Sequence, residues 1–206
     1  IADEDPAIVH GQDWPTGFLF GRMKQKNMKP KRVLTVHNVG YQGNVWEGVI
    51  GGTSLSDIAS SPVLASSFRD PRYRNVTNAL RLALECADMV NAVSPQYVQE
   101  MLRSEDGATF FQGGAGLEQV AQRLYHQEKL IGILNGVNYA FSPTRERFET
   151  QLARKAEAKA QLASYVGGIQ NALFGFVGRA VEQKFALLRE KLGDRTILEH
   201  ILEQPG

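Results

Sequence analysis

The sequence predicts an α/β fold in which a parallel sheet is flanked by helices. Short apolar segments rich in β-branched residues recur along the chain, a pattern typical of strands buried on both faces. Segments with the apolar spacing of amphipathic helices lie between them. Because strands and helices alternate, we expect the strands to pair in parallel through crossover helices.

Five strands and six helices are predicted. The strands are expected at 7–10, 32–37, 89–93, 130–134 and 172–178. The helices are expected at 16–26, 76–87, 95–103, 117–126, 145–165 and 182–192. Pro95 stands at the start of its helix, where proline is favoured. Residues 38–73 hold most of the irregular sequence, and a connection of that length is usually functional.

The composition disfavours several classes of partner. Lys and Arg total 23 against 22 Asp and Glu, a net charge of +1, which gives no electrostatic reason for binding nucleic acid or an anionic membrane. No apolar stretch approaches the roughly 20 residues of a membrane span. The single cysteine, Cys86, lies in an apolar helical pattern, which favours a buried, inert thiol and a reducing, cytoplasmic setting.

Polar clusters follow each of the five predicted strands. They comprise residues 10–14, 37–43, 94–95, 135–136 and the pair at 179 and 184. Taken singly, each cluster is typical of a turn or a helix cap. Ligands of parallel α/β sheets bind at the carboxyl ends of the strands, so five clusters in these places together predict a binding site.

These clusters lie in motifs that resemble those of bacterial glycogen synthases and starch synthases. VHGQDWPTG is similar to the family's VHAHDW, and TVHNVGYQG is similar to TIHNLAYQG. NAVSPQY resembles TVSPTYA, GILNGV resembles GILNGID, and FVGRAVEQK resembles VSRLxxQKG. The order and approximate spacing are kept over residues 8–50 and 76–190, whereas residues 51–75 match no motif of the family.

The resemblance implies a GT-B glycosyltransferase, in which two Rossmann-like domains face each other across a cleft. Members transfer glucose from ADP-glucose or UDP-glucose to the non-reducing end of an α-1,4-glucan, with retention at the anomeric carbon. It implies neither an obligatory metal nor another cofactor. Negative charge then develops on the departing diphosphate, and fixed cations and helix N-termini are needed to stabilise it.

Three residues are expected in catalysis by this resemblance. Arg179 and Lys184 match the family's arginine and lysine at a strand-to-helix junction, which implies contact with the diphosphate. Without the motif, these two residues would be interpreted as solvated cations at the surface. Gln12 stands where the family has a histidine, and its amide can hydrogen-bond a sugar hydroxyl but cannot titrate.

Five residues are expected to bind donor or acceptor: His37, Asn38, Tyr41, Gln42 and Asn78. The first four offer donors and acceptors on a glycine-flanked loop, which suits a sugar's hydroxyl groups. The last falls where the family has an asparagine near the donor glucose, although a capped or solvent-facing amide is an equal alternative.

The polar and aromatic residues after Gln12 have structural alternatives. Asp13 could N-cap the first helix, and Trp14 could fill the core. Other positions depart from the family. Its NGxD is Asn135-Gly136-Val137-Asn138, and its Lys-Ala-Gly is Arg81-Leu82-Ala83. These departures leave open a transferase with another acceptor and a catalytically weak glucan-binding homologue.

The domain organisation is expected to be incomplete. We assign residues 1–166 to part of the N-terminal, acceptor-side domain and residues 167–206 to the beginning of the nucleotide-binding domain. The family's Lys-Thr-Gly-Gly-Leu loop and its Glu-containing donor loop have no counterpart here. We therefore expect a GT-B enzyme truncated at both ends, and a chain that is inactive by itself.

Overall fold

The computed structural model describes residues 6–46, 61–108, 111–136, 145–166, 178, 185 and 188–202. The chain divides into two compact units, residues 1–135 and 136–206. The described strands of the first unit are β1 (Ile8–Gln12), β2 (Lys31–Val36), β3 (Asn44–Trp46), β4 (Val76–Asn78), β5 (Met89–Ala92) and β6 (Leu130–Gly132). Its described helices are α1 (Thr16–Gln25), α2 (Pro62–Phe68), α3 (Ala79–Cys86), α4 (Pro95–Met101) and α5 (Glu118–His126).

A four-stranded parallel sheet forms the centre of the first unit. Its strand order is β1-β2-β5-β6, and each neighbouring pair is parallel. This confirms the predicted parallel sheet with flanking helices for the described part of the chain. The sheet brings the carboxyl ends of successive strands to one edge, where the polar clusters were predicted.

A second, two-stranded sheet was not predicted. β3 and β4 pair antiparallel, with Val45 opposite Thr77 and Trp46 opposite Val76. The prediction of a helix over 76–87 is therefore wrong at its start, and α3 begins only after β4. The β-branched residues of β4 suit the extended conformation better than the helical one.

The core lies between the parallel sheet and the helices. α1 packs closely on α3, because a Cβ on Gly17 would lie only 2.0 Å from the carbonyl oxygen of Ala79. Phe20 is completely buried, and Cys86 is 2% exposed. Burial raises the pKa of the Cys86 thiol to about 11, which agrees with the predicted inert thiol.

The second unit contains α6 (Arg145–Val166), β7 (Lys191–Leu192), β8 (Arg195–Thr196) and α7 (Ile197–Leu202) among its described elements. The helix predicted at 145–165 is confirmed. The helix predicted at 182–192 is wrong at its end, because its last two residues form β7. The strand predicted at 172–178 lies outside the described residues, apart from Gly178.

A reciprocal cap begins the last helix of the second unit. Glu199 Oε2 accepts from the Thr196 backbone N–H at 2.7 Å, and Thr196 Oγ1 accepts from the Glu199 backbone N–H at 3.2 Å. The spacing Thr-x-x-Glu is the sequence signature of this capping box. Across the described residues of both units, no helix is long and apolar enough to cross a membrane.

Candidate functional site at the carboxyl edge of the sheet

Gln12 and His37 meet at the carboxyl edge of the parallel sheet. Gln12 is the last residue of β1 and lies opposite Thr35 of β2, so the ends of the two strands are adjacent. The His37 Nε2 donates to Gln12 Oε1 at 2.8 Å, and both residues are exposed. The pair has amide and imidazole groups at the surface, which suits recognition of sugar hydroxyls.

Asp13 holds the backbone that carries His37. Asp13 has a φ of 53°, a left-handed conformation that aspartate tolerates. Its Oδ1 accepts from the backbone N–H groups of His37 at 2.7 Å and Asn38 at 3.4 Å. The alternative that Asp13 caps α1 is wrong, because the N-cap of α1 is Pro15, without a side-chain cap. Asp13 instead fixes the loop after β2.

Tyr97 anchors the same loop from α4. Its hydroxyl oxygen accepts from the Val39 backbone N–H at 2.8 Å. Burial raises the pKa of Tyr97, an effect that the Val39 N–H partly opposes. Asn38 Oδ1 accepts from the Gly40 N–H at 2.9 Å, and Tyr41 remains 40% exposed. The loop therefore presents exposed side chains on a fixed backbone.

Gln42 and Asn78 are buried, and their amides bond within the protein. Gln42 Nε2 donates to the carbonyls of Val39 and Ala115, both at 2.9 Å. Gln42 Oε1 accepts from Asn78 Nδ2 at 2.6 Å. Asn78 Oδ1 caps α3 by accepting from the Arg81 N–H at 2.8 Å. This favours the capped-amide alternative for Asn78, and direct sugar contact by these two residues stays a prediction.

Asp70 completes this buried cluster, and the sequence reasoning missed it. Its side chain has no exposed surface. Oδ2 accepts from Asn78 Nδ2 at 2.8 Å and from Asn44 Nδ2, while Oδ1 accepts from the backbone N–H groups of Arg72 and Tyr73. The Asp-Pro dipeptide at 70–71 is a turn signal that could have indicated such backbone bonds.

A chain of side-chain hydrogen bonds also crosses the sheet and was not predicted. Thr35 Oγ1 donates to Asn91 Oδ1 at 2.8 Å and accepts from His10 Nε2 at 2.7 Å. The sequence does hold a signal for this chain of bonds, because His10, Thr35 and Asn91 are each a polar residue inside an apolar strand. These bonds link β1, β2 and β5 directly beneath the edge that holds Gln12, and they help to fix its position.

The predicted site residues fall into three groups in the structure. Arg179 and Lys184 lie outside the described residues. Of the others, the structure leaves four exposed or partly exposed and two buried: Gln12, His37, Asn38 and Tyr41, then Gln42 and Asn78. Within the described ranges, no group of three or more His, Cys, Asp or Glu residues could hold a metal ion.

Comparison with known proteins agrees with this architecture. The family model of the starch synthase catalytic domain matches residues 1–123. Glycogen synthase of Lactococcus lactis is 31% identical over 97% of this chain and 41% of its own length. Glycogen synthase of Chlamydia trachomatis is 35% identical over 80% of this chain and 35% of its own length. The chain thus spans about two fifths of these curated relatives.

A solved structure shows the same fold. The catalytic domain of starch synthase IV from Arabidopsis thaliana, bound to ADP and acarbose, superposes with a TM-score of 0.51 and 26% identity. The match covers 66% of this chain and 26% of the plant protein. With the family model covering more than half of the sequence, the chain belongs to the starch synthase catalytic domain family, whose members are glycosyltransferases.

Proposed function

We propose that the complete protein carrying this chain is a retaining glucosyltransferase that elongates an α-1,4-glucan from ADP-glucose or UDP-glucose. The observation that carries the proposal is the Gln12–His37 pair, held at the carboxyl edge of the sheet in a chain of this family. The related plant enzyme binds ADP and acarbose, a nucleotide and a carbohydrate, which supports the same two ligand classes here.

The exposed edge is suited to binding a neutral sugar. Gln12 Oε1 is occupied by His37, so the NH₂ group of Gln12 is oriented to donate to a hydroxyl oxygen. Asn38 and Tyr41 add further polar groups on a loop whose backbone is fixed by Asp13 and Tyr97. A fixed backbone lowers the entropic cost of holding the sugar for reaction.

The diphosphate requires positive charge, and the described residues Gln12, His37, Asn38 and Tyr41 of this edge include no lysine or arginine. We assign that role to Arg179 and Lys184, on the strength of their motif. Arginine gives forked hydrogen bonds and lysine a mobile point charge, and both would stabilise the negative charge that develops as the diphosphate leaves. We place the reaction in the cytoplasm, because the single cysteine, Cys86, fits a reducing compartment.

One observation favours a second candidate, a catalytically weak glucan-binding homologue. Gln12 replaces the histidine that the family has before Asp-Trp, and a glutamine cannot carry a proton through the reaction. Both candidates bind α-glucan, but only the first transfers glucose to it. Measuring glucan binding and glucosyl transfer separately therefore distinguishes them.

The experiment is incorporation of labelled glucose into glycogen by the complete protein, with ADP-glucose and UDP-glucose tested in turn. We expect transfer from at least one donor. Lys184→Ala should reduce turnover more than it weakens glucan binding. The expected loss in turnover corresponds to about 2–4 kcal/mol of transition-state stabilisation. Lys191→Ala, at an exposed position on β7, is the matched control and should leave turnover unchanged.

Two outcomes would contradict parts of the proposal. Glucan binding without transfer from either donor would support the weak homologue instead. Normal turnover of the Lys184→Ala protein would remove this lysine, with its partner Arg179, from the site while leaving the reaction itself in place.

A further inference from the structure

A pocket of about 340 Å³ lies beside the two-stranded sheet. It is lined by Asn44, Trp46, Arg72, Tyr73 and Val76, which belong to β3, to β4 and to the turn that precedes β4. Its volume falls in the range of pockets that bind small molecules. None of the lining residues is among the predicted site residues, and none belongs to the Gln12–His37 pair.

Two exposed aromatic rings border this pocket. Trp46 is 65% exposed and Tyr73 is 56% exposed. Large aromatic side chains gain most from burial, so two of them at one exposed pocket indicate a surface that a ligand covers. A pyranose presents C–H groups on its faces and hydroxyls around its rim. An aromatic ring can pack against such a face while polar neighbours bond the rim.

Asp70 holds two polar residues of the pocket, Asn44 and Arg72, in position. Asn44 Nδ2 donates to its buried carboxylate, and the Arg72 backbone N–H does so at 2.8 Å. The Arg72 guanidinium lies 5.2 Å from the Tyr73 ring centroid, so the arginine also supports the ring. A Cβ on Gly116 would lie 2.4 Å from Arg72 Cδ, so glycine provides the space for this side chain.

The charge balance disfavours an anionic ligand. Arg72 is the one cation among the five lining residues, and Glu105 Oε2 lies 3.4 Å from its Nη1. The carboxylate of Asp70 lies 4.0 Å from its Nε. With its charge already met by two carboxylates, Arg72 serves better as a hydrogen-bond donor to neutral hydroxyls than as a phosphate ligand.

We propose that this pocket binds a segment of the α-glucan, with Trp46 and Tyr73 packing on glucose rings and with Asn44 and Arg72 bonding their hydroxyls. The identity of the sugar rests on the proposed function. The pocket is a glucan subsite in addition to the Gln12–His37 edge. It raises affinity for long acceptor chains, because a chain held at two places binds more tightly than at one.

The test is maltoheptaose binding to the complete protein by calorimetry, with no donor present. Trp46→Ala and Tyr73→Ala should each weaken binding about tenfold, by analogy with the loss of one stacked ring. Trp46→Phe, which keeps a ring, should recover most of the affinity. Tyr125→Ala removes a ring that is 42% exposed on α5, outside the pocket, and should bind like the parent.

The outcomes separate the pocket from the proposed reaction. Weaker binding by the folded alanine variants, together with an unchanged Tyr125→Ala protein, supports the pocket even if no glucose is transferred. Parental affinity in both alanine variants, or no maltoheptaose binding by the parent, overturns the pocket. Since transfer is measured separately with a donor, transfer with unchanged variant affinities would refute only the pocket. Circular dichroism and melting temperature confirm that each variant folds.

Discussion

Two glutamines of the first unit occupy opposite environments. Gln12 is exposed at the end of β1 and shares a single side-chain bond with His37, whereas Gln42 is 3% exposed and bonds at both ends of its amide. Gln12 was predicted to act in catalysis and Gln42 to bind donor or acceptor, because both lie in motifs of the family. The comparison shows that a family motif identifies residues near the site, whereas burial determines which of their side chains can contact a ligand.

The same contrast separates the two polar clusters. The edge of the parallel sheet has a fixed backbone and exposed side chains, which allows recognition. In the second cluster, Gln42, Asp70 and Asn78 are buried and their hydrogen bonds are made within the protein, so these three side chains support the structure. We therefore expect substitutions at the edge to change activity and substitutions in the buried cluster to change stability first.

The largest effect on stability is expected for Asp70→Ala. The substitution removes a fully buried carboxylate that accepts from two side-chain amides and two backbone N–H groups, and all four of these hydrogen bonds are lost together. The free energy of unfolding should fall by about 3–5 kcal/mol, measured by urea denaturation.

Glu105→Ala is the matched control for Asp70→Ala. Glu105 also pairs with Arg72, but its side chain is 54% exposed. Exposed ion pairs contribute about 0–1 kcal/mol, so this variant should unfold almost like the parent. An equal loss of unfolding free energy in Asp70→Ala and Glu105→Ala would contradict the claim that a buried carboxylate stabilises the protein more than an exposed one.

A smaller effect is expected from Cys86 at high pH. Burial raises the pKa of its thiol from the ordinary 9.0 to about 11. The folded state therefore holds the proton more tightly than the unfolded state. The resulting stability is complete below about pH 9 and is lost as the pH rises through 11, by up to about 3 kcal/mol.

The measurement for Cys86 is the urea midpoint of the parent and of Cys86→Ala between about pH 8 and 11. The parent midpoint should fall more steeply than that of the variant over this window, because the variant lacks the titrating group. Parallel curves would contradict the pKa and the burial of the thiol in solution.

The parallel sheet could be predicted because its evidence is local. Apolar runs of β-branched residues mark β2 and β5, and the helical spacing after them marks the crossovers. The start of α3 at Ala79 was misplaced, because β4 directly precedes the helical spacing of α3 and its three residues are too few to give a strand pattern. The pairing of β4 with β3 defines it as a strand, and that pairing joins distant parts of the chain.

The candidate site was predicted only in part, for the same reason. His37 and Gln12 follow strands directly, so local sequence and the rule for parallel sheets place them together. Asp70 lies 26 residues from Asn44 and is near it only in the folded chain. The pocket at Trp46 and Tyr73 likewise joins two segments that carry no shared motif.

The central claim is that burial divides the predicted site residues into those that recognise the sugar and those that support them. The most direct test measures the glucosyl-transfer rate and the urea midpoint for Gln12→Leu and Gln42→Leu in the complete protein. Gln12→Leu should lose about fivefold in transfer, the value of roughly one neutral hydrogen bond, with an unchanged midpoint. Gln42→Leu should lose about 1–3 kcal/mol of stability, because partners such as Asn78 are left unsatisfied. Parental transfer by Gln12→Leu, or a parental midpoint for Gln42→Leu, would contradict the division.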